Sequence, residues 1–353
     1  ETPRFKVAFN EQKGTVDNLV HAPTGTNIPV TDLLATTLIP DRTDTWSLKE
    51  TGYPDNGDQM LLNDLRLIEA GPLRWTVQRR LESNRSELTQ EWRFFDDRDL
   101  IEVQNRVHWQ EPWHVLKMHI QAPFDSFKVT RGIPFGSEEA LPPGNEFVFQ
   151  NWLLISPDTP AHPENTDLKG LAVLTGPGIH GADIDASGLR LTLLRSPVYA
   201  HEELNRRYDP GIRHEHIDLG EHTCVFGILP LFKPVSPAQF CDIARSFQES
   251  QAIVTTDAHA GPLPARGALL QLEPSTVALS TLKRAADGNG YIARLWETAG
   301  KRTRGTLQFA GQTFRFTAPA NGILSIRLMP AEPAWDTIAV DGLENPIQAN
   351  DGT

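Results

Sequence analysis

Apolar and polar residues alternate with a period of two in one short segment after another. They include RFKVAF (4–9), LRWTVQRRL (73–81), ELTQEWRFF (87–95), LIEVQNRVHW (100–109), HVLKMHIQA (114–122), LRLTLLRS (189–196) and HTCVFGILPL (222–231). In LIEVQNRVHW, Ile101, Val103, Asn105, Val107 and Trp109 share one face of a strand, while Glu102, Gln104, Arg106 and His108 share the other. Gly, Pro, Asn and Asp punctuate the segments, and the signal runs to residue 232 with hardly any helical periodicity. Packed antiparallel sheets are therefore expected, not βαβ units.

One helix is predicted, over SPAQFCDIARSFQES (236–250). Ser236 can cap it, Pro237 suits its first turn, and Phe240, Ile243, Ala244 and Phe247 form an apolar stripe. The Pro- and Gly-rich DAHAGPLPARG (257–267) follows, and then a second strand series in which ADGNG (286–290) reads as a turn. The expected fold is all-β: a large antiparallel sandwich over 1–232, helix and linker over 233–267, and a small β-sandwich over 268–330. The last stretch, 331–353, has few periodic apolar positions and is expected to be a tail, either strapped over the sandwich or frayed. No internal repeat is found.

Composition narrows the function classes. Of 353 residues, 39% are hydrophobic and 22% charged, which suits a globular chain large enough for two or three compact units. Lys and Arg total 33 against 45 Asp and Glu, a net charge of −12, so nucleic acid is not an expected partner. Cys224 and Cys241 have no metal-knot spacing and are expected to be buried free thiols. No apolar run reaches the ~18 residues a membrane span needs. The first residues, ETPRFKVAFN, show no signal-peptide stretch, so the expected location is the cytoplasm, although a leader already removed would leave no trace.

Several segments, in order, resemble the carboxy-terminal half of the family 38 α-mannosidases. NEQKGTVDNLVHAPTGTNIP (10–29) resembles the opening of that family's sandwich. LTQEWRFFDDRDLIEVQNRVHWQEPWHVLKMHI (88–120) resembles its paired strands with a W-x-E-x-x-x-x-L-K centre, here Trp109, Glu111, Leu116 and Lys117. RGIPFGSEEA (131–140) resembles its E-I-P-F-G segment, with Gly132 where Glu is usual. The 189–231 stretch resembles its L-L-R-S-P-x-Y run and closing L-P-H, with Leu231 in place of the His. VALSTLKRAADGNGYIARLWETAGKRTRGTL (277–307) resembles its terminal β unit.

The resemblance implies a galactose-mutarotase-like supersandwich from an enzyme that hydrolyses α-mannosides with retention. In that family a zinc ion and a nucleophilic Asp sit in an amino-terminal half, and no segment of this chain matches those motifs. No catalytic residue, metal ligand or cofactor is therefore assigned to this chain, and zinc is implied only for the other half. The implied partners are an α-mannoside and the amino-terminal catalytic domain, and the chain alone is expected to be inactive. A free-standing carbohydrate-binding sandwich and a mutarotase-type sugar enzyme, which needs a His and a carboxylate converging in a concave sheet, remain as alternatives.

The resemblance also places Arg195, Tyr199 and His201 at an edge facing the catalytic cleft, making them the candidate substrate contacts. Arg195 ends a strand before Ser-Pro, so its guanidinium either reaches a sugar or carboxylate or forms a strand-end salt bridge. Tyr199 could stack on a pyranose or fill the core. The H-x-H of His214 and His216, with Glu221 and His222 following, has a metal spacing known from cupins. The only further candidate ligand, His259, lies in the linker, so a solvated polar loop is the stronger reading. Trp75, Trp92, Trp109, Trp113 and Trp152 could form a sugar platform, but aromatics in period-two strands fill cores. Asp96-Asp97 and Glu138-Glu139 point apart on a strand and do not supply facing carboxyls.

Overall fold

In the computed structural model the described residues are 1–47, 51–53, 57–158, 167–200, 208–209, 211–249, 252–262, 264–331 and 334–347. Residues 1–133 and 138–234 form one compact unit, and 134–137 together with 235–353 form a second.

The first unit is built on two large antiparallel sheets. One holds nine strands in the order Gly136–Glu139, Phe127–Ile133, Trp152–Pro157, Gly170–Thr175, Gly220–Leu231, Ile101–Trp109, Glu87–Phe95, Arg74–Glu82 and Leu61–Ala70. The other holds six, in the order Phe147–Val148, Gly181–Ile184, Gly188–Arg195, His114–Gln121, Thr36–Pro40 and Asp58–Gln59. A third sheet of three strands, Phe5–Phe9, Val16–His21 and Thr26–Ile28, completes the unit. Trp92, Val103 and Trp109 from the nine-stranded sheet share a buried cluster with Leu116, Met118 and Leu191 from the six-stranded one. The inner faces therefore form a sandwich core, each buried Leu, Ile or Val contributing about 1.5–3 kcal/mol.

The alternation read in 101–109 is realised: Ile101, Val103, Asn105, Val107 and Trp109 are all buried. Polar residues enter that face as a row. Arg79, Gln90, Asn105 and Cys224 lie directly opposite one another across four neighbouring strands. Gln90 Nε2 donates to Asn105 Oδ1 at 2.7 Å. The fully buried Arg79 donates to the carbonyls of Gly14 (3.1 Å) and Leu34 (2.7 Å), so it ties the 31–36 segment to the sheet. Burial pulls the Arg79 pKa down to about 9 and pushes the Cys224 thiol up to about 12.

The second unit contains the one helix found among the described residues, Pro237–Gln248. Ser236 and Gln239 form a reciprocal capping box, and Ala238, Phe240 and Ala244 are its buried positions. Two small sheets follow: Leu270–Glu273, Thr303–Phe309, Gln312–Ala318; and Val277–Arg284, Tyr291–Glu297, Ile323–Met329, Asp336–Val340. ADGNG does turn between two paired strands, and Gly290 is required there. It has φ +87°, and a Cβ on it would lie 2.2 Å from the Leu328 carbonyl oxygen. The stretch read as a tail supplies the edge strand Asp336–Val340, and Trp335 beside it stacks on Tyr291 with ring centroids 6.1 Å apart. No helix among the described residues is long and apolar enough to cross a membrane.

Candidate functional site

Strand Gly188–Arg195 ends because Pro197 has no amide to continue the ladder. Its continuation is held from several sides. Ser196 N donates to the His114 carbonyl at 2.9 Å, and Trp113 N donates to the Ser196 carbonyl at 3.0 Å. Val198 then bridges Asp44 in parallel and His216 in antiparallel fashion, so segments 41–46, 196–200 and 213–217 meet at one end of the six-stranded sheet. Thr45 N donates to the Val198 carbonyl at 3.0 Å, and Ala200 N donates to Thr45 Oγ1 at 3.0 Å.

Arg195 is the post of this junction. Its Nε donates to Asp41 Oδ2 at 2.6 Å, while Nη2 donates to Thr43 Oγ1 and, at 2.7 Å, to the Asp44 carbonyl. The Asp41 side chain has no solvent exposure, and its other oxygen accepts from Thr43 N (3.0 Å) and Oγ1 (2.6 Å). The guanidinium, expected either to reach a sugar or carboxylate or to form a strand-end salt bridge, pairs with Asp41 and clasps the 41–44 segment. That clasp displays Trp46, 56% exposed, whose backbone N–H donates to Asp44 Oδ1 at 2.9 Å. Tyr53 adjoins the clasp, and burial raises its hydroxyl pKa, with the Asp41 carboxylate adding to the rise and Arg195 opposing it.

Beside Arg195 lies a group of rings that the sequence placed separately. Trp113 has φ +63°, rare for a bulky residue, and its carbonyl accepts from Asp41 N at 2.7 Å. Its indole makes edge contacts with His216 (centroids 5.0 Å apart) and His214 (5.8 Å), and Tyr208 lies 6.2 Å away. The Tyr208 hydroxyl donates to the Tyr199 carbonyl at 3.2 Å, and the Tyr199 side chain is 59% exposed. Arg195, Tyr199 and Trp113 therefore belong to one neighbourhood. His201 lies outside the described residues.

The other candidate residues are held elsewhere. His214 Nε2 bonds the Asp209 carbonyl, His216 Nδ1 the Ser196 carbonyl and His222 Nε2 the Asp218 carbonyl, each at 2.8–2.9 Å. Glu221 pairs with His108 at 2.6 Å, and His259 bonds the Ala260 carbonyl at 3.2 Å. Among the described residues no group of three or more His, Cys, Asp or Glu could hold a metal ion. Trp92, Trp109 and Trp152 are buried and Trp75 packs against the core, leaving Trp113 as the one tryptophan of the five at this edge. Asp97 pairs with Arg98 at 3.1 Å and Glu138 with Arg131 at 2.5 Å.

Behind the clasp, on the side of the six-stranded sheet away from the core, lies a buried charge network. Lys117 is fully buried, donating to Glu146 and, at 2.7 Å, to Thr192, with its ammonium 4.9 Å from the Tyr53 ring centre. Arg190 holds Asp183 through Nε (2.6 Å) and Nη2 (2.7 Å), and Nη2 also reaches the Tyr53 carbonyl at 2.7 Å. Of the W-x-E-x-x-x-x-L-K residues, Trp109, Glu111, Leu116 and Lys117 are all buried, and Glu111 accepts from Ser83 and Arg85. At Gly132 a Cβ would lie 2.5 Å from the Trp152 indole nitrogen, so the tryptophan fills the space a side chain would need. Sequence reasoning missed Asp41, Thr43, Asp44, Trp46 and Tyr53. The one local signal was the D-x-T and D-x-W spacing of Asx turns in DRTDTW.

Residues 1–203 match the family described as glycosyl hydrolases family 38 C-terminal domain, and residues 276–323 match glycosyl hydrolases family 38 C-terminal beta sandwich domain. No curated protein matches the chain by sequence. The crystal structure of an α-mannosidase from Enterococcus faecalis V583 is similar over 93% of this chain and 41% of that one, with 14% identity and a TM-score of 0.71. A glycosyl hydrolase family 38 protein, also from Enterococcus faecalis, is similar over 98% of this chain and 42% of that one, with 15% identity and a TM-score of 0.68. At these identities the likeness shows the fold, and the chain spans well under half the length of either relative.

Proposed function

The chain belongs to the family 38 glycosyl hydrolase C-terminal domains, and from that premise we propose that it is the accessory half of an α-mannosidase-like enzyme. In this reading it packs against an amino-terminal catalytic half and finishes one wall of the cleft that half carries. The observation that supports it most is the pair of family matches, which fall in chain order on the two compact units. The zinc of the family is assigned to the catalytic half. Among the described residues no set of His, Cys, Asp or Glu side chains fits a zinc site.

The edge around Arg195 is the part of this chain proposed to meet the sugar. Arg195 acts there as a positioning residue that fixes the 41–46 segment, while the exposed rings of Trp46 and Tyr199 offer faces for the apolar side of a pyranose. His201 is retained as a third candidate contact. The test is hydrolysis of an aryl α-mannoside by the chain alone, by a family 38 catalytic half alone, and by the two together. The accessory reading expects turnover only where the catalytic half is present, and faster turnover with this chain added. A second reading, as a mutarotase-type enzyme, has one observation in its favour: His119 Nδ1 lies 3.9 Å from Asp185 Oδ2, with burial holding the imidazole below its ordinary pKa. Interconversion of mannose anomers by the chain alone, lost in His119→Asn, would favour it.

A further inference from the structure

The first unit carries a cleft of about 470 Å³ at the opposite end of strand Gly188–Arg195 from the Arg195 clasp. Eight residues at ~3.3 Å each put the two ends about 25 Å apart, so the cleft is a separate place on the sandwich. Its volume falls within the roughly 300–1,000 Å³ of small-molecule sites. Two kinds of surface meet in it. Phe127, Leu141 and the consecutive Pro142 and Pro143 make an apolar wall, which the two proline rings stiffen. Asp125, Glu139, Asp158 and Asp185 bring carboxylates to the lining, against the single ammonium of Lys128. Asp185 is held in place: its Oδ1 accepts from Ser187 N (2.8 Å) and Oγ (2.6 Å), and its Oδ2 lies 3.9 Å from both His119 and Arg190.

The geometry points to a second carbohydrate site in this cleft, one that takes a neutral pyranoside away from the catalytic edge. A pyranose presents an apolar C–H face and a ring of hydroxyl donors. The proline and leucine wall suits the first, and carboxylate acceptors suit the second. The excess of carboxylates disfavours phosphorylated, sulfated or uronate sugars, which would meet like charge. The assignment of sugar as the ligand class rests on the family reading above, while the place and chemistry of the cleft do not.

The test is hydrogen exchange on the protein with methyl α-D-mannopyranoside, reading the amides of 125–129 and 139–141. Ala186 and Leu141 line the cleft and are exposed, so Ala186→Trp and Leu141→Trp can block it from opposite sides with little effect on folding, which an unchanged melting midpoint confirms. The sugar is expected to slow exchange in both segments, with affinity falling at least about tenfold in either variant. Arg195→Lys should leave that protection in place, so failure of the Arg195 reading, scored by turnover, is separable from failure here. No protection of these segments, protection indifferent to both tryptophan variants, or protection by calcium chloride but not by the sugar would each overturn the proposal.

Discussion

Replacing Arg195 by lysine tests the clasp with the charge kept. One ammonium cannot serve Asp41, Thr43 and the Asp44 carbonyl together, as the guanidinium does. Hydrogen bonds to charged groups contribute about 1.5–3 kcal/mol each, so losing one or two, less what the lysine recovers, costs about 2 kcal/mol. The Asp41 side chain has no exposure and Arg195 only 19%, so Arg195→Met, which leaves the carboxylate buried without its partner, costs about 3–5 kcal/mol. At about 2–4 °C per kcal/mol for a unit of this size, the lysine variant should melt about 4–8 °C lower. The assay pairs thermal melting with kcat/KM of the complete enzyme on an aryl α-mannoside. The positioning role expects both to fall, kcat/KM by about tenfold, or about 1.4 kcal/mol. A lysine variant with an unchanged midpoint and lost activity would refute this reasoning. It would show the guanidinium free to serve the sugar directly.

Three further outcomes follow from the packing and charge. The fully buried Glu297 accepts from the N–H groups of Ala299 (2.9 Å), Lys301 (3.1 Å) and Asn321 (3.0 Å); burial pushes its carboxyl up, but these bonds outweigh it and hold the pKa below the usual range. A lowered folded-state pKa gives stability that is full above the unfolded value, about 4.3, and is lost as pH falls through the folded one. The second unit's melting midpoint should therefore drop on acidification below about pH 4.3, and a Glu297→Gln variant should show a lower midpoint at neutral pH and a flatter acid limb. Gly132→Ala should lower the first unit's stability by about 1–3 kcal/mol in chemical denaturation, because its Cβ would overlap the Trp152 indole. Elemental analysis of the purified chain should find no stoichiometric transition metal, and one metal per chain lost in His216→Ala would contradict the backbone-bonding role of that ring.

The sheets were legible where one face meets the core and the other meets water. In 101–109 and 87–95 the alternation maps directly onto burial, and the Ser236–Gln239 box marked the helix start. Gly170–Thr175 is buried at every position, so it carries no period of two and was not read as a strand. Asp336–Val340 is an edge strand whose pairing with Ile323–Met329 carries it, and its five residues, DTIAV, are too few and too irregular in polarity to announce a period of two. At the candidate site Arg195 could be picked out by its place before Ser-Pro. Its partner Asp41 stands 154 residues earlier, and no local pattern encodes an ion pair across that distance. The cluster of Trp113, Tyr208, His214 and His216 likewise forms only when the turn carrying Trp113 meets the connection between strands Gly188–Arg195 and Gly220–Leu231.

Turnover of an aryl α-mannoside in the presence of zinc decides whether this chain, as we propose, supports mannoside hydrolysis without performing it. The purified chain should show none, and adding it to a family 38 catalytic half should raise that half's kcat/KM, with the gain reduced in Arg195→Lys. Turnover by the chain alone that disappears when one of its own residues is substituted would contradict the accessory role.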